Sequence, residues 1–219
     1  LSGFKLINEY VNSQKKESIE FFKDFKKKYL SRTDYLRGNF KFIIDKLPEN
    51  FLFIGYLLKI LPHSKIIRTF RDPWDVAISL YKQRYVTNIP YSASFFNIAV
   101  FMSNFEAINI FWNDQIKSNE NILDIKYEEL VKDTDHHQKE IYRFLSIESD
   151  FNEEKRKSFF SQTASIRQIG TDVHSKSIEK KEFLEHKNEF YDALIMQRKY
   201  WEKRGFEYKS DTFFGYKLS

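Results

Sequence analysis

Residues 65–85, KIIRTFRDPWDVAISLYKQRY, decide how the rest of the chain is interpreted. The apolar run at the start of this stretch predicts a strand that ends at Phe70, and a helix follows directly after Arg71, Asp72 and a proline. Proline is tolerated at the first helical position, and Asp72 can cap the helix with Asp75 three residues further on. We expect unpaired backbone N–H groups, the positive end of the helix dipole and the Arg71 guanidinium to form an anion site.

Ser79 lies about two turns, or ~10 Å, along the same predicted helix. A phosphate held by both Arg71 and Ser79 would therefore lie beside the helix. A purely structural interpretation remains open, in which Arg71 pairs with Asp75 and Ser79 is an ordinary mid-helix serine. The residues alone do not decide between these two interpretations.

Composition limits the class of protein. The chain has 219 residues, of which 42% are hydrophobic and 18% aromatic, so we expect one folded α/β domain over residues 1–219. With only six glycines, a glycine-rich phosphate loop has little to be built from. The absence of cysteine from the sequence excludes disulfides, thiolate catalysis and Cys-based metal sites. This absence fits a reducing compartment, and we expect a cytoplasmic protein.

Charge and hydropathy narrow the choice of partners. The formal net charge is +5, but basic and acidic residues are interspersed and no basic arm stands out, so we expect no nucleic-acid partner. No apolar run reaches the ~18 residues of a membrane span. The pair His136-His137 has no third ligand at helical spacing, so we expect no metal site.

Working outward from residues 65–85, Lys46 stands at a second candidate site. The apolar run 40–45, FKFIID, predicts a strand, and Pro48 keeps the residue before it out of the helical region. Lys46 then lies just beyond the carboxyl end of a strand, where open α/β sheets bind ligands. A helix over residues 49–61 would make a strand–helix–strand unit with parallel strands.

Hydrophobic periodicity predicts the remaining elements. One stretch, 161–178, is polar and irregular, and an ordered loop of this length is usually functional or a lid. The apolar stripe of the helix over 94–117 is predicted to be core. The other predicted elements are a helical region over 4–36, a strand over 122–126, a helix pair from 127 to 145, a short helix over 153–160 and a helix over 179–203 that ends at Gly205.

Several motifs occur together in order: DKLP at 45–48, RDP at 71–73, SLY at 79–81 and YEEL at 127–130. Over about residues 40–180 this set resembles the sulfotransferases that use 3′-phosphoadenosine 5′-phosphosulfate (PAPS), most closely the bacterial tetratricopeptide-linked and tyrosylprotein sulfotransferase branch. The resemblance implies an α/β fold of the P-loop NTPase type, with three α/β/α layers and a central parallel sheet.

The resemblance also implies roles for individual residues. Arg71 and Ser79 match the pair that binds the 3′-phosphate of the nucleotide. Tyr127 matches an aromatic residue near the adenine. Lys46 and Ser165 match catalytic residues placed against the transferring sulfuryl group.

Lys180 stands where the family has a basic residue near the 3′-phosphate. Lys181 departs from the family, which usually has tryptophan at the next position. The implied donor is PAPS, the implied product is 3′,5′-adenosine bisphosphate (PAP), and no metal is needed. The acceptor would be a hydroxyl or amine of a peptide tyrosine, a sugar, a lipid or a small alcohol.

The family's 5′-phosphosulfate-binding loop is absent from these residues, as is the glutamate proposed as base in the tyrosylprotein branch. We therefore expect a chain truncated at its N-terminus, lacking the first central strand and half of the donor site, and inactive or poorly folded alone. Two alternatives remain. One is a nucleotide kinase of related fold, in which Asp45 is linked to a metal. The other is a non-catalytic helical module that binds partners.

Overall fold

The computed structural model describes residues 19–38, 40, 42–82, 89–116, 120–147 and 180–218. Most of these residues lie in helices. The helices are α1 (Ile19–Arg37), α2 (Ile54–Ile60), α3 (Pro73–Lys82), α4 (Phe95–Ile116), α5 (Tyr127–Lys132), α6 (Thr134–Leu145) and α7 (Lys187–Glu202). The 3-10 helices are Pro48–Phe53, Pro90–Ala93 and Lys180–His186. The strands are β1 (Ile66–Phe70), β2 (Ile122–Lys126), β3 (Thr212–Phe213) and β4 (Tyr216–Lys217).

These elements fall into two compact units, one within residues 1–64 and 108–119 and the other within 65–107 and 120–219. The helices predicted over 49–61, 94–117 and 127–145 are confirmed within one or two residues, although the first begins as the 3-10 helix Pro48–Phe53. The helix predicted over 179–203 is divided into the 3-10 helix Lys180–His186 and α7. The short helix predicted over 153–160 and the loop over 161–178 lie outside the described residues.

A parallel strand pair organises the second unit. β1 pairs with β2, with Ile66 opposite Ile122 and Phe70 opposite Lys126, which confirms both predicted strands. The described residues therefore form a mixed α/β structure that is mostly helical and contains a small parallel sheet. The wider central sheet stays a prediction.

The strand predicted over residues 40–45 is wrong at the positions that the structure describes. Phe40, Phe42 and Ile44 are 73%, 45% and 89% exposed, and none of them belongs to a strand. A short apolar run fits a strand or an irregular segment equally well by periodicity, and a strand forms only where a partner completes its hydrogen bonds. β1 finds its parallel partner in β2 instead, so the strand–helix–strand unit predicted over 40–70 is wrong as well.

Aromatic residues build the core of the first unit. Phe25 of α1 is 3% exposed and packs with Ile60 of α2, so α1 turns an apolar face to this core. The ring of Tyr56 meets Trp112 edge-on at 5.5 Å between centroids. The indole N–H of Trp112 also donates to the carbonyl of Leu52 at 3.2 Å, which fixes the orientation of this ring.

Gly55 of α2 packs directly against that ring. A Cβ at this position would lie well inside van der Waals distance of the Trp112 indole. We therefore expect Gly55→Ala to lower the free energy of unfolding by about 1 to 3 kcal/mol through overpacking, despite the better helix propensity of alanine. Chemical denaturation measures this change. In a Trp112→Phe background the same substitution should cost less, and a Gly55→Ala protein as stable as wild type would contradict the contact.

The core of the second unit is formed by α3, α4 and α7. Trp74, Ile78, Ile98, Phe190 and Leu194 are each no more than 2% exposed and belong to one cluster. Ile98 and the neighbouring Phe95, which is 3% exposed, confirm that the apolar stripe of α4 is core.

The hairpin formed by β3 and β4 closes this unit and is not among the sequence predictions. Its turn residues Phe214 and Gly215 have φ values of 49° and 86°, as a two-residue turn between antiparallel strands requires. Phe213 is 2% exposed, and the ring of Phe214 lies 4.5 Å from that of Phe70 on β1. The hairpin is thus packed against the end of the parallel sheet.

A buried ion pair ties the hairpin to the helices. Glu106 of α4 is 1% exposed and accepts hydrogen bonds from Arg198 of α7 at 3.0 and 3.1 Å. Arg198 also donates to the carbonyls of Ser210 and Thr212 at 2.9 and 3.1 Å. Burial raises the pKa of Glu106 to about 7, although the charge of Arg198 opposes this rise.

Candidate functional site

The site begins where β1 and β2 end side by side. The carboxyl ends of parallel strands meet at one edge of a sheet, which is where open α/β folds bind ligands. Phe70 and Lys126 are the last paired residues, so Arg71 and Tyr127 follow at equivalent positions. The guanidinium carbon of Arg71 lies 4.6 Å from the centre of the Tyr127 ring. The structure therefore brings together two of the residues predicted from sequence.

The N-terminus of α3 has the predicted aspartate cap, but one backbone N–H that was expected to be unpaired has a partner. Asp72 Oδ1 accepts the backbone N–H of Asp75 at 2.9 Å. The N–H of Asp72, however, donates to Glu128 Oε1 at 2.9 Å. The expectation of unpaired N–H groups is therefore wrong at Asp72, because a carboxylate of the protein itself occupies this N–H, as the positive end of a helix dipole favours.

The contacts of Arg71 are compatible with both interpretations left open above, the structural pairing with Asp75 and the binding of an anion. Its Nη2 lies 3.6 Å from Asp75 Oδ2, so the predicted structural pairing exists. Its Nε is buried and has no hydrogen-bond partner among the described residues. A guanidinium presents five N–H donors in a planar fork that matches phosphate or sulfate. Arg71 therefore retains the capacity to bind an anion while it pairs with Asp75.

Ser79 lies on α3 about two turns beyond Asp72, as the spacing predicts, and its side chain is half-buried. At the end of the same helix, Tyr81 and Lys82 contact the ring of Phe183. Phe183 belongs to the 3-10 helix whose first residue is Lys180. The structure therefore places Ser79 and Lys180 on elements that pack together.

Lys46 belongs to the first unit. Its side chain is exposed, and the next residue, Leu47, has the extended backbone (φ −132°, ψ 123°) expected before Pro48. The preceding Asp45 accepts a hydrogen bond from the hydroxyl of Tyr29 on α1 at 2.8 Å. Burial and the Asp45 carboxylate raise the pKa of Tyr29, so it stays a donor. Ser165 lies outside the described residues.

Sequence reasoning missed Glu128 and Tyr216. The hydroxyl of Tyr216 on β4 donates to Glu128 Oε2, and burial, followed by this bond, raises the pKa of Tyr216. Glu128 was visible only as a neighbour of Tyr127 in the YEEL motif. The Phe-Phe-Gly-Tyr turn was the only local signal for Tyr216.

A cavity of about 230 Å³ lies beside this network. Five of its lining residues are polar or carry a hydroxyl: Asp72, Lys187, Tyr191, Tyr216 and Lys217. Burial and the carboxylates of Asp72 and Asp75 raise the pKa of Tyr191, so both tyrosines are neutral here at neutral pH. The cavity thus combines two lysine ammonium groups, one carboxylate and two neutral phenols.

Metal and membrane signals are absent from the part of the chain that the structure describes. No group of three or more histidine or acidic residues there could hold a metal ion. None of the helices described is long and apolar enough to cross a membrane.

Comparison with known proteins shows which protein family this chain resembles. A family model described as "Sulfotransferase family" matches residues 5–153. An uncharacterized protein of Aquifex aeolicus (strain VF5) is 26% identical over 185 residues, which cover 78% of this chain and 24% of that protein. The chain thus spans about a quarter of the length of this curated relative. No solved structure matches the chain.

Proposed function

The chain belongs to the sulfotransferase family, and from this premise we propose that it transfers a sulfuryl group from PAPS to a hydroxyl or amine acceptor. The observation that carries the proposal is the arrangement of Arg71 at the sheet edge. Its guanidinium packs on Tyr127 and keeps a buried Nε with no partner among the described residues. An anion of the donor nucleotide would complete this arrangement.

In this proposal the 3′-phosphate binds beside α3. Arg71 supplies the charge and Ser79 a hydroxyl, with Lys180 as a further cation. Tyr127 offers the adenine an aromatic face next to the guanidinium. Aromatic and guanidinium planes stack favourably, so nucleotide base and Arg71 would share the Tyr127 ring without competing for hydrogen bonds.

The reaction breaks the bond between sulfur and the oxygen that bridges it to the 5′-phosphate, and forms a bond between sulfur and the acceptor oxygen or nitrogen. PAP leaves with the electron pair, and the acceptor proton passes to a general base. As in phosphoryl transfer, the protein mainly positions the reactants and stabilises charge on the leaving oxygen. Lys46 and Ser165 are the proposed donors to that charge.

Arg71→Ala is expected to weaken PAP binding by about 10- to 100-fold, because charge-assisted hydrogen bonds of a guanidinium are worth about 1.5 to 3 kcal/mol. Isothermal titration of the whole protein with PAP measures this loss. Arg143→Ala, an exposed substitution on α6, is the matched control and should bind like wild type. If wild type gives no binding heat, or Arg71→Ala binds as tightly, the proposed function is wrong.

The kinase alternative is tested in the same titration with magnesium and ATP. In that alternative Asp45 holds the metal, but one of its oxygens already accepts the Tyr29 hydroxyl. Magnesium-dependent ATP binding together with no response to PAP would favour the kinase. Binding of neither nucleotide would favour a non-catalytic module.

A further inference from the structure

The C-terminal hairpin reaches back to the turn that carries Arg71. Its own position is fixed twice, by the two backbone carbonyls that accept from Arg198 and by the packing of Phe214 on Phe70. Tyr216 directly follows the hairpin turn. Its hydroxyl donates a hydrogen bond to Glu128 at the sheet edge. The hairpin lies outside residues 5–153, to which the family model applies.

Glu128 divides its two oxygens between the hairpin and the α3 turn. Oε1 accepts the N–H of Asp72 at 2.9 Å, and Oε2 accepts the Tyr216 hydroxyl. A carboxylate that accepts on both oxygens is restrained in both rotation and position. Glu128 therefore fixes the peptide unit between Arg71 and Asp72.

The same turn of α5 also restrains the Arg71 side chain. Tyr127 packs under the guanidinium, and its sequence neighbour Glu128 holds the backbone that carries it. Tyr127 and Glu128, the first two residues of α5, thus hold Arg71 and Asp72, the two residues that follow β1. This matching arises because β1 and β2 are parallel and in register up to Phe70 and Lys126.

We propose that Glu128 and Tyr216 are positioning residues that orient Arg71 toward the 3′-phosphate and so determine selectivity for nucleotides that carry it. This inference rests on the proposed function. Tyr216 acts only through Glu128, and Glu128 only through the turn. Neither residue needs to touch the nucleotide.

Tyr216→Phe tests the proposal without changing charge. PAP and 5′-AMP, which lacks the 3′-phosphate, are titrated separately into wild type and variant. We expect the preference for PAP over 5′-AMP to fall about three- to tenfold, the range of one hydrogen bond, while 5′-AMP affinity stays constant. Tyr200→Phe, an exposed substitution on α7, should leave both affinities unchanged. An unchanged preference, or equal weakening of both nucleotides, would overturn the proposal.

Amide hydrogen exchange at Asp72 gives a second readout that does not depend on nucleotide. Glu128→Ala removes the acceptor of this N–H, and we expect its exchange to accelerate at least about tenfold in the unliganded protein. Unchanged exchange would show that Glu128 does not hold the turn. If exchange accelerates but wild type does not prefer PAP over 5′-AMP, the proposed function is wrong and the selectivity role is overturned with it, while the restraint of the turn stands.

Discussion

Arg198→Ala is expected to lower the free energy of unfolding by about 3 to 5 kcal/mol, among the largest effects of any single substitution in this chain. Arg198 makes four hydrogen bonds, two to the buried carboxylate of Glu106 and two to the carbonyls of Ser210 and Thr212. Its loss leaves a buried carboxylate without this counter-ion and two carbonyls without this donor. Denaturation by urea at neutral pH measures the change.

The cost should depend on pH. Burial raises the pKa of Glu106 to about 7, above its ordinary value of 4.5. The folded state therefore binds the proton more tightly, and the penalty of burying the charge grows as pH rises from about 4.5 to about 7. Without Arg198 that penalty loses the attraction that opposes it. Arg198→Ala should consequently be more damaging at pH 8 than at pH 5.

Two controls separate this ion pair from ordinary ones. Glu106→Gln keeps an acceptor for Arg198 and should remove most of the pH dependence. Lys28→Ala breaks the exposed pair with Asp24 on α1, at 2.8 Å, and should cost no more than about 1 kcal/mol. A pH-independent loss in Arg198→Ala, or a loss no larger than that of Lys28→Ala, would contradict the role assigned to the buried pair.

Local sequence signals predicted the strand–helix junction well. The β1–α3 connection follows from an apolar run, an aspartate cap and a proline, all within a few residues, and the structure confirms its strand, its cap and its helix. The parallel partner β2 was also predicted as a strand, because ILDIK is a short apolar run after a turn. Such features depend on neighbours in sequence, which a single chain displays directly.

Long-range contacts account for what the sequence did not predict. Glu128 and Asp72 are 56 residues apart, and Tyr216 and Glu128 are 88 apart, so no local pattern links them. The same limit explains the wrong strand over 40–45, whose composition fits a strand but whose formation depends on a partner. The N–H of Asp72 looked unpaired in sequence because the carboxylate that accepts it, that of Glu128, comes from the next strand–helix junction.

Lys46→Ala is expected to lower kcat by about 10²- to 10³-fold, the range measured when one preorganised donor to a developing negative charge is removed. PAP affinity should change little, because the proposed contact of Lys46 is with the oxygen that bridges sulfur and the 5′-phosphate, where charge increases mainly in the transition state. Release of PAP from PAPS by the whole protein measures turnover, and titration with PAP measures binding.

The split between turnover and binding is what identifies the role of Lys46. Arg71→Ala should weaken binding of PAP, whereas Lys46→Ala should weaken only the chemical step. Lys46→Arg keeps the positive charge but places it on a planar guanidinium, so this variant should recover part of the lost rate. Lys28→Ala, an exposed lysine of the same unit, should keep full activity. If Lys46→Ala reduces PAP affinity as much as kcat, Lys46 contacts the bound nucleotide in the ground state. If kcat stays within about threefold of wild type, Lys46 does not stabilise the leaving oxygen, and another cation must do so.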